Sequence, residues 1–295
     1  ITWEKVGLDP NENFAILNAF NLSLKKSTLR VDSVTLTTSY FDQPIEGMLT
    51  DRAFKINREV DKVYPQFLSF EKDLSIKDIV PNVDYTGGFA LQGETFVGAG
   101  TNETPAKISL RNEGSEFIKS KAKLVLVSEK KVSLKKAETS MYFKTGDSLY
   151  HPGVDFDYDL EKSTIQLARN KIGIGQAPFQ DSYHKLEIYV PKVVWTVGVD
   201  QLDYTYEFGT SQEQKIAKFE SSAYFDERIY DELQGMASIH PLVSLSDYAW
   251  TYDQPVMTEG KASTALKMTV EQAKPTLLRL SNLGFITYDP EAKTV

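Results

Sequence analysis

Cysteine is absent from this 295-residue chain, which removes disulfides, thiol catalysis and thiolate metal sites together and leaves packing to hold the fold. Histidine is nearly absent as well: His151, His184 and His240 are the only three, and none forms an HxH or HxxxH pair of the kind that marks a metal site. Positive charge is in deficit, with 33 Lys and Arg against 41 Asp and Glu, a net of -8 and a pI near 5.1. A nucleic-acid partner is therefore disfavoured, because phosphate binding needs a concentrated basic field. No apolar run approaches the ~18 residues that span a bilayer, so no transmembrane segment is expected in this stretch. Neither a GxGxxG turn nor a Gly-Lys-Ser/Thr loop is present, which argues against a phosphate cradle.

What is present reads as strand. At roughly 100–200 residues per domain the length suggests two or three domains, and 41% hydrophobic residues suffice to bury their cores. Between residues 28 and 38, Leu29, Val31, Val34 and Leu36 alternate with polar residues in an imperfect period of two. Residues 84 to 100 interleave aromatic and aliphatic side chains with glycine, and glycine within a strand marks a bulge or a close backbone approach. Eight further short runs lie between 107 and 219, rich in β-branched and aromatic residues and separated by turn residues. A mainly β chain follows, a β-sandwich or a stacked strand ladder. Its expected divisions are an N-terminal β domain over 1–105, a ladder or sandwich over 106–220 and a helical domain over 221–295.

The period changes after Ser221. Residues 223 to 236 place Phe225, Ile229 and Leu233 at helical spacing, with Ser222 as a candidate N-cap. A helix over 240–252 follows, then a second over 261–266. Thr269 and Gln272 have capping-box spacing at the start of a third, with Val270, Ala273, Leu277, Leu278 and Leu280 apolar and Gly284 as its stop. Strand-like residues 285–288, a turn at 289–291 and a return at 293–295 complete an order of elements that resembles a winged-helix domain. That resemblance usually implies DNA binding through the third helix. Here Lys261, Lys267, Lys274, Arg279 and Lys293 are outweighed by Asp247, Asp253, Glu259, Glu271, Asp289 and Glu291, and Pro275 sits in the would-be reading helix. A protein-contact module is expected instead.

Three sets of side chains are candidates for a site. Asp155, Asp157 and Asp159 alternate with Val154, Phe156 and Tyr158, so a strand would put three carboxylates on one face, near His151. Such a face could bind a hard cation, or be a solvated strand face, and the spacing lacks the glycine and distal glutamate of a calcium loop. Asp181 and Ser182 lie close to His184 without a nucleophile elbow around them. The aromatics Tyr183, Tyr189, Trp195, Tyr204, Tyr206 and Phe208 are either a sugar-stacking platform or core and cross-strand pairs. Asn21-Leu22-Ser23 and Asn102-Glu103-Thr104 fit the glycosylation sequon.

The strands of residues 27–51, the glycine-rich stretch 87–100, the run 146–159 and the run 182–195 together resemble segments of very large cell-envelope proteins of Gram-negative bacteria. They are also similar to the β-taco and jelly-roll repeats of lipopolysaccharide-transport proteins, which implies an apolar trough for lipid. The chain starts at Ile1 and stops at Val295 within a strand-like run, so it is expected to be a piece of something longer. On this basis the chain is expected to be a non-catalytic structural or binding segment in the periplasm or cell envelope. Its expected partners are the rest of its polypeptide, envelope proteins or lipid, without cofactor or metal. The alternative is a carbohydrate-binding or glycosidase-like β-sandwich. An apolar trough between sheets would favour the former, exposed coplanar aromatics beside paired carboxylates the latter.

Overall fold

A computed structural model describes residues 1–23, 25–53, 62–112, 114–205, 217–222, 227–235 and 237–295. The chain is mainly β, with 45% strand against 18% helix, and the helices are gathered towards the C-terminus. It divides into two compact units, one of residues 1–137, 156–166 and 195–201, the other of 138–155, 167–194 and 202–295.

In the first unit, β1 (Phe14–Leu17), β2 (Thr28–Thr37), β3 (Ile45–Arg52) and β4 (Gln66–Ser69) are antiparallel neighbours in that order. The imperfect alternation of β2 has a physical cause. Val31 lies opposite Leu49 and Val34 opposite Gly47, so β2 advances one residue more than β3. That bulge returns Val34 and Leu36 to the buried face already occupied by Val31.

The central element is β6 (Val83–Gln92), because it changes partners halfway along. Its first half lies between β5 (Leu74–Val80) and β8 (Ala106–Asn112). Its second half lies between β4 and β7 (Thr95–Ala99). Gly87 and Gly88 mark the join, Gly87 with a φ of +155°. β9 (Ser115–Ala122), β10 (Leu124–Val127) and β11 (Lys131–Tyr142) complete the circuit. The pairings β6–β7–β10–β11–β9–β8–β6 close a six-stranded barrel. Each of the strands β8 to β11 buries alternate residues, among them Ile108, Leu110, Ile118, Val125, Val132 and Leu134, as a small side-chain-filled barrel requires.

Tyr85 explains the glycines of 84–100. Its ring meets Phe96 edge-on at 5.0 Å, and Phe96 meets Phe89 at 5.0 Å. Its hydroxyl donates to the Gly88 carbonyl at 2.5 Å. A Cβ on Gly98 would stand 2.5 Å from the Tyr85 ring, and one on Gly87 2.5 Å from its hydroxyl. The glycines are therefore the walls of a slot for one buried ring. Tyr40, Phe41 and Phe67 extend the aromatic cluster around Phe89.

The second unit holds the helices α1 (Glu227–Gln234), α2 (Pro241–Tyr252), α3 (Glu259–Leu266) and α4 (Val270–Asn282). The α1 helix lies inside the span read from sequence, whose residues 223–226 and 236, Phe225 among them, fall outside the described residues. Thr269 and Gln272 form the capping box read from the sequence, Oγ1 accepting from the Gln272 N–H at 3.3 Å and Oε1 from the Thr269 N–H at 3.1 Å. Gly284, at φ +84°, follows the last turn. Leu245, Met257, Ala262, Leu266, Ala273, Leu277, Leu280 and Tyr288 form the core between the last three helices. Residues 285–288 bend without pairing, so the return is shorter than the expected two strands. Met257 and Val295 exchange backbone bonds of 2.9 and 2.8 Å, and Asp289 bridges Thr294. Glu259 is buried at the first position of α3 and accepts from the Tyr288 hydroxyl at 2.5 Å, with the Lys274 ammonium 3.8 Å away. Among the described residues no helix is long and apolar enough to cross a membrane.

Gly98→Ala should lower stability by roughly 1–3 kcal/mol in urea titrations, because the methyl overlaps a ring that has nowhere to go. The same change in a Tyr85→Leu background should cost markedly less, and equal costs in both backgrounds would rule out the slot. Tyr288→Phe strands the Glu259 carboxylate and should cost about 1–3 kcal/mol, while Tyr288→Phe with Glu259→Leu should recover part of the loss. Thermal unfolding of the two variants checks the second expectation.

Candidate functional site

Of the residues singled out from sequence, His151 and the three aspartates lie on β12 (Ser148–Asp159), while Asp181, Ser182, His184 and Tyr189 belong to the hairpin of β14 (Phe179–Asp181) and β15 (Leu186–Tyr189), which follows β13 (Thr164–Arg169) in the chain. β12 begins earlier than its apolar run suggests, taking in His151, Pro152 and Gly153. Leu149 pairs with Asp181 and Tyr150 with Gln180, so the strand face that carries Leu149 and His151 lies against the one that carries Phe179 and Asp181. All four side chains are buried.

His151 is 1% exposed. Its Nδ1 lies 2.9 Å from the Gly153 backbone nitrogen and its Nε2 2.8 Å from the Ala177 carbonyl. An N–H can only donate and a carbonyl can only accept, so the ring is neutral with its proton on Nε2. Burial opposes a charged ring more strongly than the Ala177 carbonyl favours one, and the Arg169 guanidinium adds repulsion, which together hold the pKa at about 3. The two bonds explain why a His-Pro-Gly sequence survives inside a strand. Pro152 has no N–H to give, and the Gly153 N–H is satisfied by the His151 side chain. Gly153 in turn leaves room for Ile174, whose Cγ2 would stand 2.5 Å from a Cβ there.

The second bond reaches the short 3-10 turn Gly173–Gln176, which precedes Ala177. Arg169 donates to the Gln176 carbonyl and fixes the same turn from the other side. Helix α4 packs on this turn, and a Cβ on Gly284 would come within 3.1 Å of the Ala177 methyl. Histidine, turn and helix thus form one chain of contacts. The helix that would enter a DNA groove in the expected module has part of its surface covered by the protein's own turn.

The three aspartates do share a face: Asp155, Asp157 and Asp159 are half-buried while Val154 and Phe156 are buried. At Asp157 and Asp159 the partners occupy carboxylate oxygens. Asp157 Oδ1 accepts from Ser133 at 2.6 Å and faces the Lys131 ammonium at 2.9 Å. Asp159 accepts from the Lys162 N–H at 3.0 Å and faces its ammonium at 3.3 Å, and these bonds, the backbone one first, hold its carboxyl below the usual range. Among the described residues no group of three or more His, Asp or Glu side chains is placed to hold a metal ion.

At the hairpin, Asp181 accepts from the Tyr183 and His184 N–H groups at 2.9 and 3.1 Å through Oδ1, and from His184 Nδ1 at 2.7 Å through Oδ2. The carboxylate shapes the turn and orients the imidazole, leaving Nε2 as the basic nitrogen. Ser182 does not complete a triad. Its hydroxyl donates to Asp147 at 3.0 Å and accepts from the Ser148 N–H at 2.9 Å.

The aromatics pair edge-on. Tyr183 meets Phe143 at 83° and His184 at 84°, Trp195 meets Phe117 at 63°, and Tyr204 meets Phe219 at 90°. The Lys218 ammonium and the Arg169 guanidinium both approach the Tyr189 ring, at 5.1 and 5.7 Å from its centroid. Burial, aided by the charge of Asp181, pushes the Tyr204 phenol up to about 12. Tyr206 and Phe208 lie outside the described residues. The 173–177 turn and Arg169 carried no motif in the sequence; their one visible trace is the pair of glycines at 173 and 175. No protein-family model matches the chain, and neither the curated proteins nor the solved structures gave a match.

A histidine held neutral by the fold stabilises it fully above the unfolded pKa of about 6.5 and progressively less as pH falls towards the folded value of about 3. Urea midpoints should therefore fall between pH 6.5 and pH 4 by the equivalent of about 2–3 kcal/mol, at 1.36 kcal/mol for each unit of pH. His151→Gln should be less stable at pH 7 and should flatten that dependence. An equally steep profile in the variant would show that other groups are responsible.

Proposed function

We propose that the chain is a non-catalytic structural or binding segment of a larger cell-envelope protein. The observation that carries this is the engagement of its conspicuous polar groups in holding the chain together. His151 closes a strand and a turn, Ser182 fastens a hairpin to Asp147, Asp157 faces Lys131 of β11 and Asp159 faces Lys162 of the turn that follows it. The envelope location rests on the likeness of the strand runs to those large proteins. In this account the pairings β12–β14 and β14–β15, continued to the strand Lys218–Ser221, are the ladder.

The C-terminal helices are proposed to be a winged-helix-like module that contacts protein. The order α2, α3, α4 and the short return pairing at Met257, Asp289 and Thr294 support it, and the packing of α4 on the 173–176 turn favours protein over DNA. Of the two binding alternatives, lipid is less well supported by the first unit, where interlocked rings fill the aromatic core. Sugar is less well supported by the edge-on aromatics.

The test is native mass spectrometry of the chain purified from a Gram-negative envelope fraction, then exposed to phospholipid, soluble glycans and calcium. An unchanged protein mass throughout is the expected outcome for an architectural segment. Retained lipid would make it a lipid-binding segment. A glycan adduct, or hydrolysis of a glycan that His184→Ala abolishes, would sink the proposal in favour of the carbohydrate module.

A further inference from the structure

Helix α2 carries large apolar side chains on two sides, and only one of them meets the core. Leu242, Leu245, Tyr248 and Ala249 pack into the helical core. At 100° per residue Val243, Ser246, Asp247 and Trp250 fall on the opposite side, and all are exposed. Val243 is 46% exposed and Trp250 90%. A tryptophan side chain offers ~200 Å² of contact surface, the type most enriched among residues that dominate protein interfaces. Placed on a rigid capped helix, it loses little freedom on being covered.

Charge identifies what covers it. From Ile229 to Gly260 the chain contains no lysine or arginine, while it has Asp231, Glu232, Asp247, Asp253 and Glu259. Glu259 is buried against Tyr288, and Glu232 pairs with Arg279. Asp247 flanks Trp250 on the exposed face, and Asp253 stands at the helix C-terminus, where the backbone carbonyls add their own negative potential. Lys261, the first cation after this run, donates to the Gln254 side chain at 2.6 Å, so the acidic character of the face is carried by Asp247 beside Trp250, with Asp253 at the helix end.

We infer that the Val243–Trp250 face of α2 is a docking site for a basic amphipathic helix of a partner protein, with apolar side chains over Val243 and Trp250 and Lys or Arg beside Asp247 and Asp253. The arrangement is the helix-against-helix mode of recognition, with cations of the partner free to lie on the indole face. The site goes beyond the architectural proposal and does not depend on an envelope location.

The probe is a synthetic helix of about four turns built from leucine and lysine with one apolar face. It is titrated into the full chain while indole emission is followed, and the Trp250 contribution is isolated by subtracting the Trp250→Phe variant. A blue shift on binding is expected, with affinity reduced about tenfold or more in Trp250→Ser and in Asp247→Lys/Asp253→Asn. A leucine–glutamate helix and a leucine–lysine peptide shuffled to remove its apolar face should not bind. Because Trp250 is exposed, these variants keep the core that the assay requires. Equal affinity of the peptide for Trp250→Ser would overturn the inference. So would a blue shift that grows with protein concentration alone, which would make a second copy the occupant, or one produced by phosphatidylcholine vesicles, which would make it a membrane surface.

Discussion

His151 is where the second unit is fastened. With Nε2 bound to Ala177 and Nδ1 to Gly153, one side chain secures both a strand that proline would otherwise interrupt and a turn on which a helix rests. A buried imidazole can do this only while neutral, with one nitrogen donating and the other accepting. Burial supplies that condition, holding the ring uncharged far below the pH at which a free histidine takes up a proton. Phe179, 4.8 Å from the ring, and the packing of Ile174 over Gly153 keep water away from both bonds. The position of α4 follows from a tautomer two elements away.

Much of the fold could be read from the chain and much could not, and the division has a physical pattern. The capping box at Thr269 and the helical spacing of Leu242, Leu245 and Ala249 are local signals, and they gave α2 and α4 directly. The alternation in β2 was legible, but its interruption became meaningful only when Val34 was seen opposite Gly47, since a bulge is a property of two strands. The first half of β12 was hidden because His151-Pro152-Gly153 has the composition of a turn. Its strand character is supplied by a bond from the side chain itself and by Ala177, 26 positions away. Barrel closure was equally invisible, since nothing in the residues of β9 says that β8 and β11 will both be its neighbours. His151 could be singled out from sequence and its partners could not.

The polar residues illustrate why a cluster in sequence is weak evidence for chemistry. Asp181 and His184 do form a dyad, and the same carboxylate also accepts two backbone N–H groups of the turn. Ser182 lies between them in sequence and faces away, to Asp147. A strand face with carboxylates at 155, 157 and 159 attracts lysines before it attracts a metal, because Lys131 and Lys162 are already within reach. Exposed pairs of this kind contribute little to stability. They nevertheless occupy oxygens that a cation would need.

The exchange of partners along β6 has a mechanical consequence. Its second half joins β4, hence the sheet of β1 to β3, while its first half joins β8, hence the far side of the barrel. Sheet and barrel therefore share one continuous backbone, crossed at a glycine pair clamped by a single tyrosine ring. Fraying that begins at β4 must strip β6 and so open the barrel seam, and opening the seam must loosen the sheet. Two structures that could have melted separately are obliged to melt together, so a load applied to either is resisted by both.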